Sequence, residues 1–125
     1  MSADGSFRAF RLCRDEANAP PVGRFVQMHV DELSPGEVLI RVAHTSTNYK
    51  DALAAAGLNQ IIRDYPRIGG IDLSGTVVHS DDARFVPGDA VVVHGFGIGV
   101  EHDGGHAQMA RVKGDWVMKV PQGLS

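Results

Sequence analysis

Cysteine is almost missing from this sequence: Cys13 stands alone among 125 residues. No disulfide can form within the chain, which suits a reducing compartment and leads us to expect a cytoplasmic protein. Clustered basic charge is missing too. Twelve Lys and Arg are scattered against 15 Asp and Glu, for a net charge of −3. A nucleic-acid partner is therefore not expected. Long apolar runs are absent, and none approaches the roughly 20 residues that a membrane-spanning helix needs. Met1–Gly5 is polar and lacks the apolar stretch of a signal peptide. There is no internal repeat, no low-complexity segment and no interior linker.

Glycine and apolar residues are what the sequence does have. Fifteen glycines and six prolines interrupt a chain that is 43 % apolar and only 6 % aromatic. The apolar share is too high for disorder, and the glycines follow no three-residue period. So many helix breakers argue against a helical bundle. A single domain built mostly of strands and turns remains.

The patterning agrees. Phe7–Arg14 alternates, as does Arg24–Glu32, and each reads as a strand. Ser34–Glu37 (SPGE) is a tight turn before a third strand over 38–43. Lys50–Gly57 (KDALAAAG) is rich in helix formers, with Thr47 or Asn48 placed to cap it and Gly57 to stop it. Gly75–Val78, Ala90–His94, Gln108–Val112 and Trp116–Val120 read as further strands, and Pro87–Asp89 as a turn. The stretch His94–His106 is too rich in glycine for regular structure. Cys13 falls in an alternating segment and is read as a small packing residue. The expected architecture is mainly β: a partly open antiparallel barrel with one or two short helices.

An ordered series of motifs runs through nearly the whole chain: Thr47–Asp51 (TNYKD), Pro66–Val77 (PRIGGIDLSGTV), Pro87–Val93 (PGDAVVV), Gly95–Val112, and Lys113–Ser125 beginning KGDW. In this order and spacing they resemble the N-terminal GroES-like catalytic domain of the medium-chain dehydrogenase/reductase superfamily. The resemblance is strongest to its zinc-free acryloyl-CoA reductase and quinone oxidoreductase branch. Zinc-dependent members of that superfamily carry a Cys ligand near the place of Asn48 and a Gly-His-Glu near Gly70–Asp72. With Asn48 and Gly70-Ile71-Asp72 in those places, and one cysteine in all, the resemblance implies chemistry without zinc. The single cysteine also precludes a four-cysteine structural site. Such enzymes follow this domain with a doubly wound dinucleotide-binding domain. No strand–glycine turn–helix unit occurs here: Gly95-Phe96-Gly97-Ile98-Gly99 follows a strand but leads into His102, Gly104 and Gly105. The 125 residues are thus expected to stop short of the cofactor domain and to be inactive alone.

The resemblance implies a reductase of activated double bonds that uses NADPH, with acryloyl-CoA as substrate, a quinone as the alternative, and a homodimeric parent. A non-catalytic GroES-like binding or assembly module is the rival from another class. By resemblance Tyr49 contacts the cofactor, while Asn48 and Lys50 line the site. Their amide and ammonium can donate to a substrate carbonyl as negative charge develops on it. The plainer alternative is that Asn48 caps the helix and Tyr49 packs, with Asp51 favoured by the helix dipole. Phe96, among glycines that allow close backbone approach, could cover an acyl chain. Arg63, and with it Arg67, could meet phosphates or simply be solvated. His44 and His94 stand at strand ends as possible proton donors. His102 and His106 have a metal-like i, i+4 spacing, but Gly104-Gly105 forbids the helix that would align them.

Overall fold

The computed structural model describes residues 5–14, 16, 19–46 and 65–121. Among these residues, eight strands form two antiparallel sheets. The first holds β2 (Val22–His29), β1 (Ser6–Cys13) and β4 (Arg67–Ile68), in that order. The second runs β7 (Met109–Val112), β3 (Val38–His44), β5 (Asp72–Ser80), β6 (Ala90–His94) and β8 (Val117–Lys119). The sheets meet where residues 106–108 cross β1: the Phe10 amide donates to the His106 carbonyl at 2.8 Å, and the Gln108 amide to the Arg8 carbonyl at 3.0 Å. The result is the expected mainly β, partly open architecture rather than a closed barrel.

The strand β3 explains how one chain this small builds two cores. Its Val-Leu-Ile run is buried on both faces. Val38 and Ile40 pack with Leu73, Val77, Val91 and Val93 on one side. Leu39 turns the other way, onto Phe7, Met28, Ile68 and Met109. A strand flanked by apolar matter on both faces reads as a continuous apolar run, not an alternation. In β1, Phe7 and Ala9 share the inward face, and Leu12 is buried on the opposite face beneath Phe10 and Tyr65.

Several boundaries differ from the sequence reading. The second strand ends at His29 rather than Glu32. There the His29 Nδ1 accepts from the Asp31 amide at 3.2 Å, and the Glu32 carboxylate accepts from the His29 amide at 2.9 Å. That reciprocal cap turns Val30–Glu32 into a single 3-10 turn. Likewise Gly114–Trp116 forms a 3-10 turn before β8, with the Gly114 amide held by Glu37 at 3.1 Å. The strand expected at Gly75–Val78 extends over the full nine residues of β5. β4 was not foreseen, since two residues carry no period. The Pro87–Asp89 turn is present, closed by the Asp89 amide on the Val86 carbonyl at 3.1 Å. The helix expected over Lys50–Gly57, with its caps, lies outside the described residues.

Asp82 and Arg84 stabilise the loop between β5 and β6. The guanidinium donates to both Asp82 oxygens, at 3.0 and 2.7 Å, and to Asp115 at 2.8 Å. Its side-chain bonds, with the Arg84 amide, hold the Asp82 carboxyl down at about 2 rather than 3.8. A carboxyl whose pKa is depressed by folding adds stability above its unfolded value and loses it as pH falls toward its folded one. We therefore expect the melting temperature to drop as pH is lowered from 3.8 toward about 2, and the drop to shrink in Asp82→Asn. Equal pH slopes for the two proteins in thermal melts would refute this.

Candidate active site

Antiparallel pairing brings three strand ends to one edge of the larger sheet. β3 leaves the sheet at His44, β5 enters it at Asp72, and β6 leaves it at His94. The register sets His44 opposite Ser74 and Asp72 opposite His94. Together with Thr45, Ser46 and Val92, these residues line an open groove of about 310 Å³.

Asp72 organises this edge. One carboxylate oxygen accepts from the Ser46 amide at 3.0 Å, and the other from the Ser46 hydroxyl at 2.6 Å. The Thr45 hydroxyl donates to the Asp72 carbonyl at 2.9 Å. The His94 Nδ1 lies 3.9 Å from the carboxylate, with its ring exposed at the rim. His44 is exposed at the other side of the groove. Both histidines singled out as proton donors therefore reach it. Asp72 and Ser46 were missed as site residues. Asp72 had been noted only as standing in the place of a zinc-site Glu, and the two are 26 residues apart.

Asn48, Tyr49, Lys50 and Arg63 lie outside the described residues, as does Asp51. Ser46, the last described residue before that stretch, is held by Asp72.

Phe96 is placed elsewhere. It does not line the groove but stacks on Trp116, with ring centroids 6.0 Å apart and planes 11° from parallel. Its φ of 57° is left-handed, uncommon for a residue with a side chain, and the residue is 61 % exposed. The other face of the cluster is His102, edge-on to Trp116 at 5.1 Å. The His102 Nε2 is 2.6 Å from the Arg111 carbonyl, and a carbonyl only accepts, so Nε2 carries the hydrogen.

Burial pushes the His102 imidazole below its ordinary 6.5, only partly countered by the Arg111 carbonyl and Asp103. A histidine that resists protonation in the fold but takes a proton when unfolded favours the unfolded chain as pH falls. Stability from this site is thus full above 6.5 and declines below it. Thermal melts by circular dichroism, taken on both sides of that value, should show the decline, and it should flatten in His102→Gln.

Arg67 turns inward, neither solvated nor free for a phosphate. Its side chain is 13 % exposed and pairs with the equally buried Asp103 at 3.4 Å. Asp103 also accepts from the Ile68 amide at 3.0 Å, and its own amide donates to the Ser34 hydroxyl at 3.0 Å. This cluster ties the glycine-rich loop to β4. His102 and His106 point to different carbonyls, those of Arg111 and Ser46. Among the described residues no three His, Cys, Asp or Glu side chains gather as metal ligands would.

The described residues thus form two small antiparallel sheets packed through β3, a strand of the larger sheet buried on both faces, with a polar groove at one edge. Residues 34–122 match the alcohol dehydrogenase GroES-like domain. The chain belongs to that family, and its relatives are oxidoreductases of the medium-chain dehydrogenase/reductase type. It is 38 % identical over 118 residues to the acrylyl-CoA reductase AcuI of Ruegeria pomeroyi, covering 94 % of this chain and 36 % of that protein. It is 44 % identical over 117 residues to YhfP of Bacillus subtilis, which bears a quinone oxidoreductase name, covering 93 % and 36 %. The yhdH oxidoreductase of Salmonella enterica, solved in complex with NADP, superposes with a TM-score of 0.89 at 42 % identity, over 94 % of this chain and 36 % of that one. This chain thus spans little more than a third of the length of these relatives.

Proposed function

We propose that this chain is the substrate-side domain of a cytoplasmic, homodimeric oxidoreductase that reduces the carbon–carbon double bond of a short enoyl-CoA, acryloyl-CoA to propionyl-CoA, with NADPH. The likeness in fold and sequence to a protein solved with NADP carries the reading. The groove suits a flat, carboxamide-bearing ring. Val92 offers an apolar wall, and Ser46, Asp72 and His94 form a rim of hydroxyl, carboxylate and imidazole.

When bound, the dihydronicotinamide supplies a hydride for the substrate β-carbon. The chain's own task is to hold the thioester so that the charge developing on its carbonyl oxygen meets donors. Asn48 and Lys50 are the proposed donors, and Tyr49 the proposed cofactor contact. A positioned donor of that kind is worth about 10²–10³ in rate. The α-carbon then takes a proton, for which His44 and His94, both lining the groove, are the proposed donors. The reading assigns no zinc. In support of that, the single cysteine sits on β1 with its thiol 4.0 Å from the Arg11 carbonyl, and it does not line the groove.

The test mixes the protein, as it occurs in its cell, with acryloyl-CoA and NADPH. We expect NADPH oxidation that depends on acryloyl-CoA and yields propionyl-CoA. The absence of turnover would overturn the proposal. The name borne by the Bacillus subtilis relative favours a quinone as second reading, so a benzoquinone is run beside the thioester. Turnover of neither would favour a binding or assembly module.

A further inference from the structure

A second hollow opens on the smaller sheet. It holds about 220 Å³, and its lining includes Arg8, Phe10, Phe25, His106 and the bridged pair Ala9 and Ala107. Phe7, Ala9 and Met28 turn into the core. The register sets Arg8 opposite Gln27 and Phe10 opposite Phe25, so these side chains stand on the other face. Phe25 is 75 % exposed. Phe10 meets it edge to face, with ring centroids 5.2 Å apart. A Cβ at Gly23 would overlap the Phe10 ring, so the glycine leaves room for that ring to lie there. An aromatic ring kept this open is available to a ligand.

The charge around it has one sign. β1 and β2 carry Arg8, Arg11 and Arg24 and no Asp or Glu, in a chain of net charge −3. Among the described residues no carboxylate lines the hollow, and the Arg8 guanidinium has no acidic partner. An open ring beside an uncompensated guanidinium complements a ligand that carries a flat ring and a phosphate. We propose that this hollow binds the phosphorylated adenosine end of the coenzyme A thioester, with Phe25 stacked on the adenine and Arg8 on a phosphate. The identity of the ligand rests on the proposed function, since such a thioester must seat a nucleotide end as well as a reactive one. His106 joins the two places. Its ring lines the hollow, and its Nε2 lies 3.2 Å from the carbonyl of Ser46, which lines the candidate active-site groove. One extended ligand thus passes the imidazole to occupy both.

The test uses the protein as it occurs in its cell, with free coenzyme A as the probe in titration calorimetry. We expect Arg8→Gln and Phe25→Thr each to weaken coenzyme A binding about tenfold, the effect of one lost charge-assisted contact or one lost base stack. Both positions are exposed and threonine suits a strand, so neither change disturbs the core. In either variant the preference in kcat/KM for acryloyl-CoA over S-acryloyl-N-acetylcysteamine, which lacks the nucleotide, should also fall about tenfold. Coenzyme A binding left unchanged in either variant, or no binding by wild type, overturns the site. NADPH carries a phosphorylated adenosine too, so its affinity is measured in the same variants. A loss for NADPH in place of coenzyme A overturns the assignment to the thioester. A wild type that binds coenzyme A through Arg8 and Phe25 yet leaves acryloyl-CoA unreduced overturns the substrate reading and upholds this site.

Discussion

Asp103→Ala should destabilise this protein by about 3–5 kcal/mol, the usual cost of deleting one partner of a buried pair. Two groups lose their acceptor or counter-charge at once. The Ile68 amide, buried in β4, is left without the oxygen it meets at 3.0 Å. Arg67 keeps its charge with only the Ser34 hydroxyl, at 3.3 Å, on the same nitrogen. Its Nε is already buried with no hydrogen-bond partner, so little nearby can take over. The two side chains are only 12 and 13 % exposed, which limits rescue by water. With total stabilities of about 5–15 kcal/mol in ordinary domains, such a loss is a large share. Asp103→Asn keeps an acceptor for Ile68 and should lose less than half as much. Urea unfolding of both variants settles it, and an Asp103→Ala midpoint close to wild type would refute the account.

Gly104→Ala should cost about 3 kcal/mol, the upper end of what overpacking incurs. A Cβ at Gly104 would overlap the Gly70 carbonyl oxygen and lie within 2.6 Å of the Gly69 oxygen and 2.7 Å of the Gly99 Cα. All three are backbone atoms, and none is the movable tip of a side chain. Nor can the loop back away cheaply, because the Gly104 amide donates to the Ile68 carbonyl at 2.9 Å. Gly88→Ala is the matched comparison. Its φ of +98° disfavours a side chain, yet no atom lies within 4 Å of the new Cβ. We expect a penalty there of roughly 1–2 kcal/mol, from backbone strain alone. Thermal or urea unfolding that ranks Gly88→Ala as the worse of the two would show that strain, not crowding, dominates these loops.

What could be read from the sequence was what repeats over a few neighbouring residues. The alternation of β1, the Val-Leu-Ile of β3 and the Val-Val-Val of β6 mark strands because side-chain direction has a period of two and burial follows it. β5 was under-read because its ends carry polar residues, Asp72 and Ser74 about a single Leu73 at the groove and His79 and Ser80 at the far end. The end of β2 depends on a side-chain cap between His29 and Glu32, which competes with strand continuation and leaves the hydrophobic pattern unmarked. The motif around Asn48 was legible by resemblance, and so was the glycine-rich stretch as a loop. The contacts that shape the groove were not: Asp72 with Ser46, and His106 with Ser46, join residues 26 and 60 apart. Arg67 failed for a related reason. Nothing local marks an arginine as inward-facing when its partner lies 36 positions later.

Trp116 is the only tryptophan in the chain, and it sits between an exposed Phe96 and a buried His102. The glycine-rich loop is therefore packed against an optical probe. Indole emission responds both to how well a neighbouring ring shields it from water and to whether an adjacent imidazole is charged. Lifting Phe96 away would shift the emission colour, whereas protonating His102 would dim it. The unlabelled protein can thus report the Phe96 contact and histidine titration as two separate signals from one side chain.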